Sequence, residues 1–246
     1  MKGIARSVAY ACPLTRVNCW GALRTKKLRF FCPPRWLIRV HRSGTKKYRL
    51  GAEEGKLSRI YFDRHIYIPL LLEQQGIQVS PPGLTSSEEQ FVRDLGDFWK
   101  QEKCGALAGK ELFLLRNLSR GKGVGFFEGR GFYPDFIVWI LEPSRKHQRI
   151  VFIEPHGMVY AKAYIHDEKA RLHEYLRKLS KQLWHHSSGW KVELDSYLVS
   201  ATRFEELHPR YDNGTWSRAK FAQHHILFPE RNHGYDYLRF ILVPPR

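Results

Sequence analysis

The first fifty residues contain no aspartate and no glutamate. Thirteen lysines and arginines, from Lys2 to Arg49, stand there without an acidic partner, and the rest of the chain holds 28 basic against 24 acidic residues. The formal charge of +17 therefore belongs mainly to the N-terminal segment, and the body is only mildly basic. Long apolar runs are missing too. None approaches the roughly 18 residues of a membrane-spanning helix, which predicts a chain without a membrane segment. No clean apolar stretch precedes a small-residue cleavage site, which argues against a secretory leader. Cysteine is scarce: Cys12, Cys19, Cys32 and Cys104 form no C-x-x-C pair and no zinc spacing. They are expected as reduced thiols in a cytoplasmic protein. The glycine-rich GKGVGFF at 121–127 lacks the spacing of a phosphate-binding loop, so the chain shows no nucleotide-driven motor of its own.

The basic N-terminal segment, residues 1–55, acid-free as far as Glu53, also carries Pro13, Pro33 and Pro34 and no sustained helical or strand period. Three readings stay open: a basic arm for polyanions, a transit-like segment, or sequence not native to the fold that follows. Residues 56–246 read as a single α/β domain. With 43% hydrophobic and 14% aromatic residues the chain can fill a core. TSSEEQFVRDLGDFWKQ (85–101) predicts a helix, with a capping box from Ser86 to Glu89 and an apolar stripe of Phe91, Val92, Leu95, Phe98 and Trp99. Strands are expected at 111–118, 132–141 and 149–154, the first two joined by a basic, glycine-rich hairpin tip. A helix follows over about 167–186, with Ala170, Leu172, Leu176, Leu179 and Leu183 inward, then strands at 192–201 and 224–230 and a closing helix or strand at 235–243. This order predicts a mixed central sheet of four or more strands flanked by helices. The His185–His186 and His224–His225 doublets have no third ligand at metal spacing and read as loop or helix-end histidines.

The chemistry concentrates where two predicted strands meet prolines. IVFIEPHG (150–157) ends an apolar strand on Glu154, Pro155 and His156, and FYPDFIVWIL (132–141) sets Asp135 directly after Pro134. Residues two apart on a strand share a side, so Glu154 and His156 face one way. If the strands pair as a hairpin, Asp135 and Glu154 converge, a hard-oxygen pair suited to Mg²⁺. Glu88, on the edge of the first helix's apolar face, is a candidate third carboxylate. The plainer alternative is that strand-end acids meet only solvent, and that Glu88 is a helix N-terminal charge favoured by the dipole. Asp167 and Lys169, opening the second helix, read as surface charges.

GFYPDFIVWI followed by IVFIEPHG resembles the Pro-Asp and acid-x-Lys motif of PD-(D/E)xK nucleases. The linked blocks FDRHIYIPLL, SPPGLTSSEEQFVRDL, LFLLRNLSRGKGVGFFEGRGFYPDFIVWI and RIVFIEPHGM resemble more narrowly the C-terminal nuclease region of type III restriction subunits and related DEAD/DEAH-box restriction helicases. The likeness covers about residues 60 to 200. It implies a restriction-endonuclease-like fold and Mg²⁺-dependent hydrolysis of DNA phosphodiesters, with Mn²⁺ as a substitute ion, in a restriction or anti-phage setting. Asp135 and Glu154 would bind the ion, Glu88 would support it, and His156 stands where the family has its lysine. Arg116, Arg120 and Lys122 would contact the DNA backbone. A helicase or ATPase partner, or a motor domain N-terminal to this region, would supply the missing engine. A competing reading is a DNA-binding or scaffolding domain that keeps the fold without turnover, which the missing lysine favours.

Overall fold

The computed structural model describes residues 83–117, 132–184, 189–230 and 234–243, together with the backbone of five short N-terminal strands. The chain divides into two compact units, Met1–Thr85 with Leu115–Pro134, and Ser86–Leu114 with Asp135–Arg246. In the first unit β1 (Val8–Ala9), β2 (Lys47–Leu50) and β5 (Val79–Ser80) form one small antiparallel sheet, and β3 (Arg59–Ile60) pairs with β4 (Leu70–Leu71). The rest of segment 1–55, its three cysteines included, lies outside the described residues, as does the predicted hairpin tip with Arg120 and Lys122.

The larger unit is built on a five-stranded mixed sheet ordered β10-β9-β8-β7-β6, with β6 at Glu111–Arg116, β7 at Phe136–Glu142, β8 at His147–His156, β9 at Lys191–Ser200 and β10 at Ile226–Leu227. β7 and β8 are antiparallel; β8, β9 and β10 run parallel. Helix α1 (Ser86–Glu102) precedes the sheet in sequence, and α2 (Glu168–Trp184) makes the crossover between the parallel strands β8 and β9. Shorter helices α3 (Phe204–Leu207), α4 (Arg218–Gln223) and α5 (Asp236–Leu242) complete it. This is the α/β architecture expected from the sequence, a mixed sheet flanked by helices in the manner of restriction endonucleases.

The two long helices cover opposite faces of the sheet. Phe91 of α1 meets Phe136 with ring centroids 5.3 Å apart, and Phe136 lies opposite Ile153. Ala170 of α2 packs in one cluster with Leu198, the partner of Glu154. Ile153 and Glu154 are neighbours on β8 and so point to opposite sides. Phe91, Val92, Leu95 and Phe98 are all buried, and each contributes roughly 1.5–3 kcal/mol by leaving water. The expected capping box does not form: α1 starts at Ser86 itself, and Glu89 turns along the helix to pair with Arg93 at 2.7 Å. The imperfect alternation predicted for β9 has its reason here, since both of its neighbours are strands and its C-terminal half, Ser196–Ser200, is buried on both faces.

A buried polar network surrounds β9. Arg149 donates to Asp195 at 2.7 Å, to the Tyr197 hydroxyl at 3.0 Å and to the Ile241 carbonyl of α5. His225, in the doublet read as loop or helix-end histidines, does follow the end of α4, and it is buried there. Its Nδ1 donates toward Asp195 and the Ser196 carbonyl, its Nε2 accepts from Arg177 at 2.9 Å, and its ring is sandwiched between His173 and Tyr197 at 4.0 and 4.4 Å. Burial alone would raise the Asp195 pKa, but the His225 hydrogen bond and the nearby guanidinium hold it at about 2. Burial, with His225 alongside, pushes His173 down to about 4.

These shifts fix a pH dependence. His173 takes up a proton near pH 6.5 when unfolded but only near 4 when folded. Its contribution is therefore whole above pH 6.5 and lost as pH falls through 4, while that of Asp195 is lost lower, from about 4 through 2. Urea midpoints should fall steadily below pH 6.5. His173→Phe, which keeps a ring against His225, should flatten the curve between 6.5 and 4; equal slopes for both proteins would reject this account.

Candidate active site

β8 runs two residues further than its apolar core, through Pro155 to His156, although it is a central strand. The register explains how. Its ladder with β7 ends at the pair Phe136–Ile153, while that with β9 continues to His156–Ser200. The His156 carbonyl accepts from Ala201, so His156 faces β9 and Pro155, one residue earlier, turns its nitrogen toward the β7 side. The missing N–H thus falls where the ladder has already ended.

One step beyond that last pair, Asp135 comes opposite Glu154. Opposite residues of an antiparallel pair share a face, and the Asp135 backbone N–H donates to Glu154 Oε2 at 3.2 Å. Glu154 is buried, with 7% of its surface exposed. A buried carboxylate needs a positive partner, and Lys169 supplies it, with Nζ 2.6 Å from Glu154 Oε1. The sequence reading made Lys169 a surface charge. The signal it passed over is electrostatic: Asp167 caps α2 by accepting from the Ala170 N–H at 3.1 Å, which sets Lys169 in the first helical turn. A cation there opposes the helix dipole, so its position calls for a nearby acid.

His156, two residues past Glu154 and on the same side of β8, is exposed. Its pKa lies below the usual 6.5, through desolvation first and then the Lys169 charge, against the opposing pull of Glu154 and Asp167. The imidazole is therefore neutral at pH 7. Glu88 is buried in the first turn of α1. Among the described residues no three His, Cys, Asp or Glu side chains gather where they could hold a metal ion. Arg116 is buried at the end of β6, with its guanidinium donating to the Gly83 carbonyl at 3.0 Å. A cavity of about 280 Å³ lies at the same end of the larger unit, between Ser86, Ser87 and Phe91 of α1 and the end of β9. Pro155 lines it from the side opposite Glu154.

No family model, no curated protein and no solved structure matches the chain. The chemistry must therefore be read from the residues themselves. The strand ends offer the buried Glu154 carboxylate, the Asp135 backbone N–H and the Lys169 ammonium bonded to it, and a neutral imidazole two residues on. Mg²⁺ commonly uses one or two carboxylates and keeps several waters, so a two-acid site fits that ion, whereas the closed four-ligand set of a structural zinc is not met. Both Glu154 oxygens already accept a hydrogen bond, and a carboxylate offers about four lone-pair positions. Among the described residues no helix is long and apolar enough to cross a membrane, and Cys104 is a free, exposed thiol.

Proposed function

We propose that this chain carries a metal-dependent endodeoxyribonuclease domain, centred on Asp135 and Glu154, that hydrolyses DNA phosphodiester bonds with Mg²⁺, or Mn²⁺ in its place. The observation that supports it best is the Glu154–Lys169 contact of 2.6 Å. The motif's lysine is absent from position 156, and a lysine from α2 reaches the same carboxylate. Asp135 and Glu154 would hold the ion, which, when bound, would neutralise phosphate charge and make water more acidic. Lys169 would add a permanent cation toward the scissile phosphate. His156, neutral and exposed, would accept a proton from the attacking water. The setting proposed is a restriction or anti-phage system in which a helicase or ATPase works with this domain.

A nuclease-fold scaffold without turnover is the second reading. It is favoured by the histidine at 156 and by the protein groups that already engage both Glu154 oxygens.

Plasmid nicking by the purified chain with Mg²⁺ or Mn²⁺ separates the two. Asp135→Ala should abolish nicking and leave DNA binding intact. In the wild type the rate should fall as pH drops through the His156 pKa, below 6.5, because the protonated ring cannot accept a proton. His156→Ala should remove that limb, and His156→Lys should nick with weaker pH dependence, since lysine stays charged to about pH 10. Binding without nicking by every variant, with a helicase partner present, would establish the scaffold.

A further inference from the structure

The segment between β8 and α2 presents an aromatic ring to water on a backbone that is firmly held. Tyr160 is 93% exposed, and Val159 beside it is 50% exposed. They occupy the two corner positions of a tight turn closed by the Ala161 N–H donating to the Met158 carbonyl at 3.0 Å. The turn is anchored on both sides. The Met158 side chain is buried in the cluster with Leu198 and Ala170, and its N–H donates to the Thr202 hydroxyl at 2.8 Å. The Lys162 carbonyl accepts from the Asp212 N–H at 2.8 Å, and the buried Tyr164 donates its N–H to the Asp212 carboxylate at 2.9 Å. At its base the segment is closed by the Glu154–Lys169 pair. The exposed ring is thus held on a pinned turn that grows out of the strand bearing Glu154, with its face open to a flat partner.

We infer that the Val159–Tyr160 turn is a stacking platform for an unpaired nucleobase of the strand whose phosphate lies at Asp135 and Glu154. This rests on the nuclease reading for its location. The charge around the turn suits a nucleic-acid strand. Lys162 and Arg210, the latter on the segment that grips the turn, are exposed and make no ion pair among the described residues, and His166 adds an exposed imidazole. Of the nearby acids, Asp167 is turned to its capping hydrogen bond and Asp212 to Tyr164, which leaves Glu168 as the solvent-facing carboxylate. A tyrosine loses few rotamers on binding, and every base has a π-face, so the platform would discriminate single strands from duplex rather than one sequence from another. A lipid surface is a poorer fit, because Lys162 and His166 break the apolar positions Val159, Tyr160 and Ile165 into isolated points.

The test is binding of the full chain, in metal-free buffer where nothing is cut, to a labelled single-stranded oligonucleotide and to the blunt duplex of the same sequence. Tyr160→Ala should weaken single-strand binding by about tenfold, the usual loss for one stacked base, with little change for duplex. Tyr160→Trp should retain single-strand binding. With 2-aminopurine in the single strand, the wild type and Tyr160→Trp should quench its fluorescence and Tyr160→Ala should not. Equal losses on both DNAs, no loss on either, or no binding by the wild type would overturn the inference. So would Tyr160-dependent binding to phosphatidylserine vesicles without an effect on oligonucleotides. If nicking fails while the Tyr160 difference persists, the platform stands and the nuclease reading falls; nicking with no Tyr160 dependence in binding gives the reverse.

Discussion

Lys169→Met is expected to lower plasmid nicking by about 10²–10³-fold, the typical loss when one preorganised donor at developing charge is removed. The side chain is aimed by its bond to Glu154, and methionine preserves its length without the cation. Folding should also weaken, because Glu154 is buried and loses its cation. Urea unfolding of the variant checks this and separates lost chemistry from lost structure. The comparison with His156→Ala assigns the roles. If Lys169 is the motif's displaced cation, its loss should flatten the rate at every pH, whereas loss of His156 should remove only the acidic limb. A Lys169→Met protein that nicks at the wild-type rate would show that the Glu154 contact is only structural.

Arg149→Met should destabilise the domain by about 3–5 kcal/mol, the range for removing one member of a buried ion pair. The guanidinium joins β8, β9 and α5 through Asp195, Tyr197 and the Ile241 carbonyl. Without it, Asp195 keeps the His225, Tyr197 and Ser196 N–H bonds against its burial, so its pKa should climb from about 2. Acid unfolding should therefore begin at higher pH. Asp195→Asn in the Arg149→Met background should cost less than in the wild type, because the charge it removes has already lost its guanidinium. A double-mutant cycle by urea denaturation measures the difference, and strictly additive losses would show that the two residues act independently.

Much of the fold was legible because local patterns and tertiary packing agree. The apolar stripe of α1 predicted its burial, and the strand at 111–116 and the helix at 168–184 lie close to their expected bounds. Strand ends were less legible: β7 begins at Phe136 rather than 132, and β8 extends two residues past Glu154. Proline at 155 argued for a strand end, and only the staggered ladders on its two sides show how the strand passes through it.

The sequence by itself determined the order of elements, the pairing of the strands that carry or precede the two acids and the side shared by Glu154 and His156. Those follow from strand period and hairpin connection, which are local. Tertiary structure alone decided which charges meet. Lys169 is fifteen residues from Glu154, and the crossover to α2 brings it back onto that acid. His225 stands between α4 and β10, which bring it to Asp195 and to the carbonyl of Ser196, twenty-nine residues earlier in the chain and 2.9 Å away. A side chain's type is written in the sequence, but whether a charge is solvated or paired depends on which distant groups the packed sheet places within a few ångströms of it.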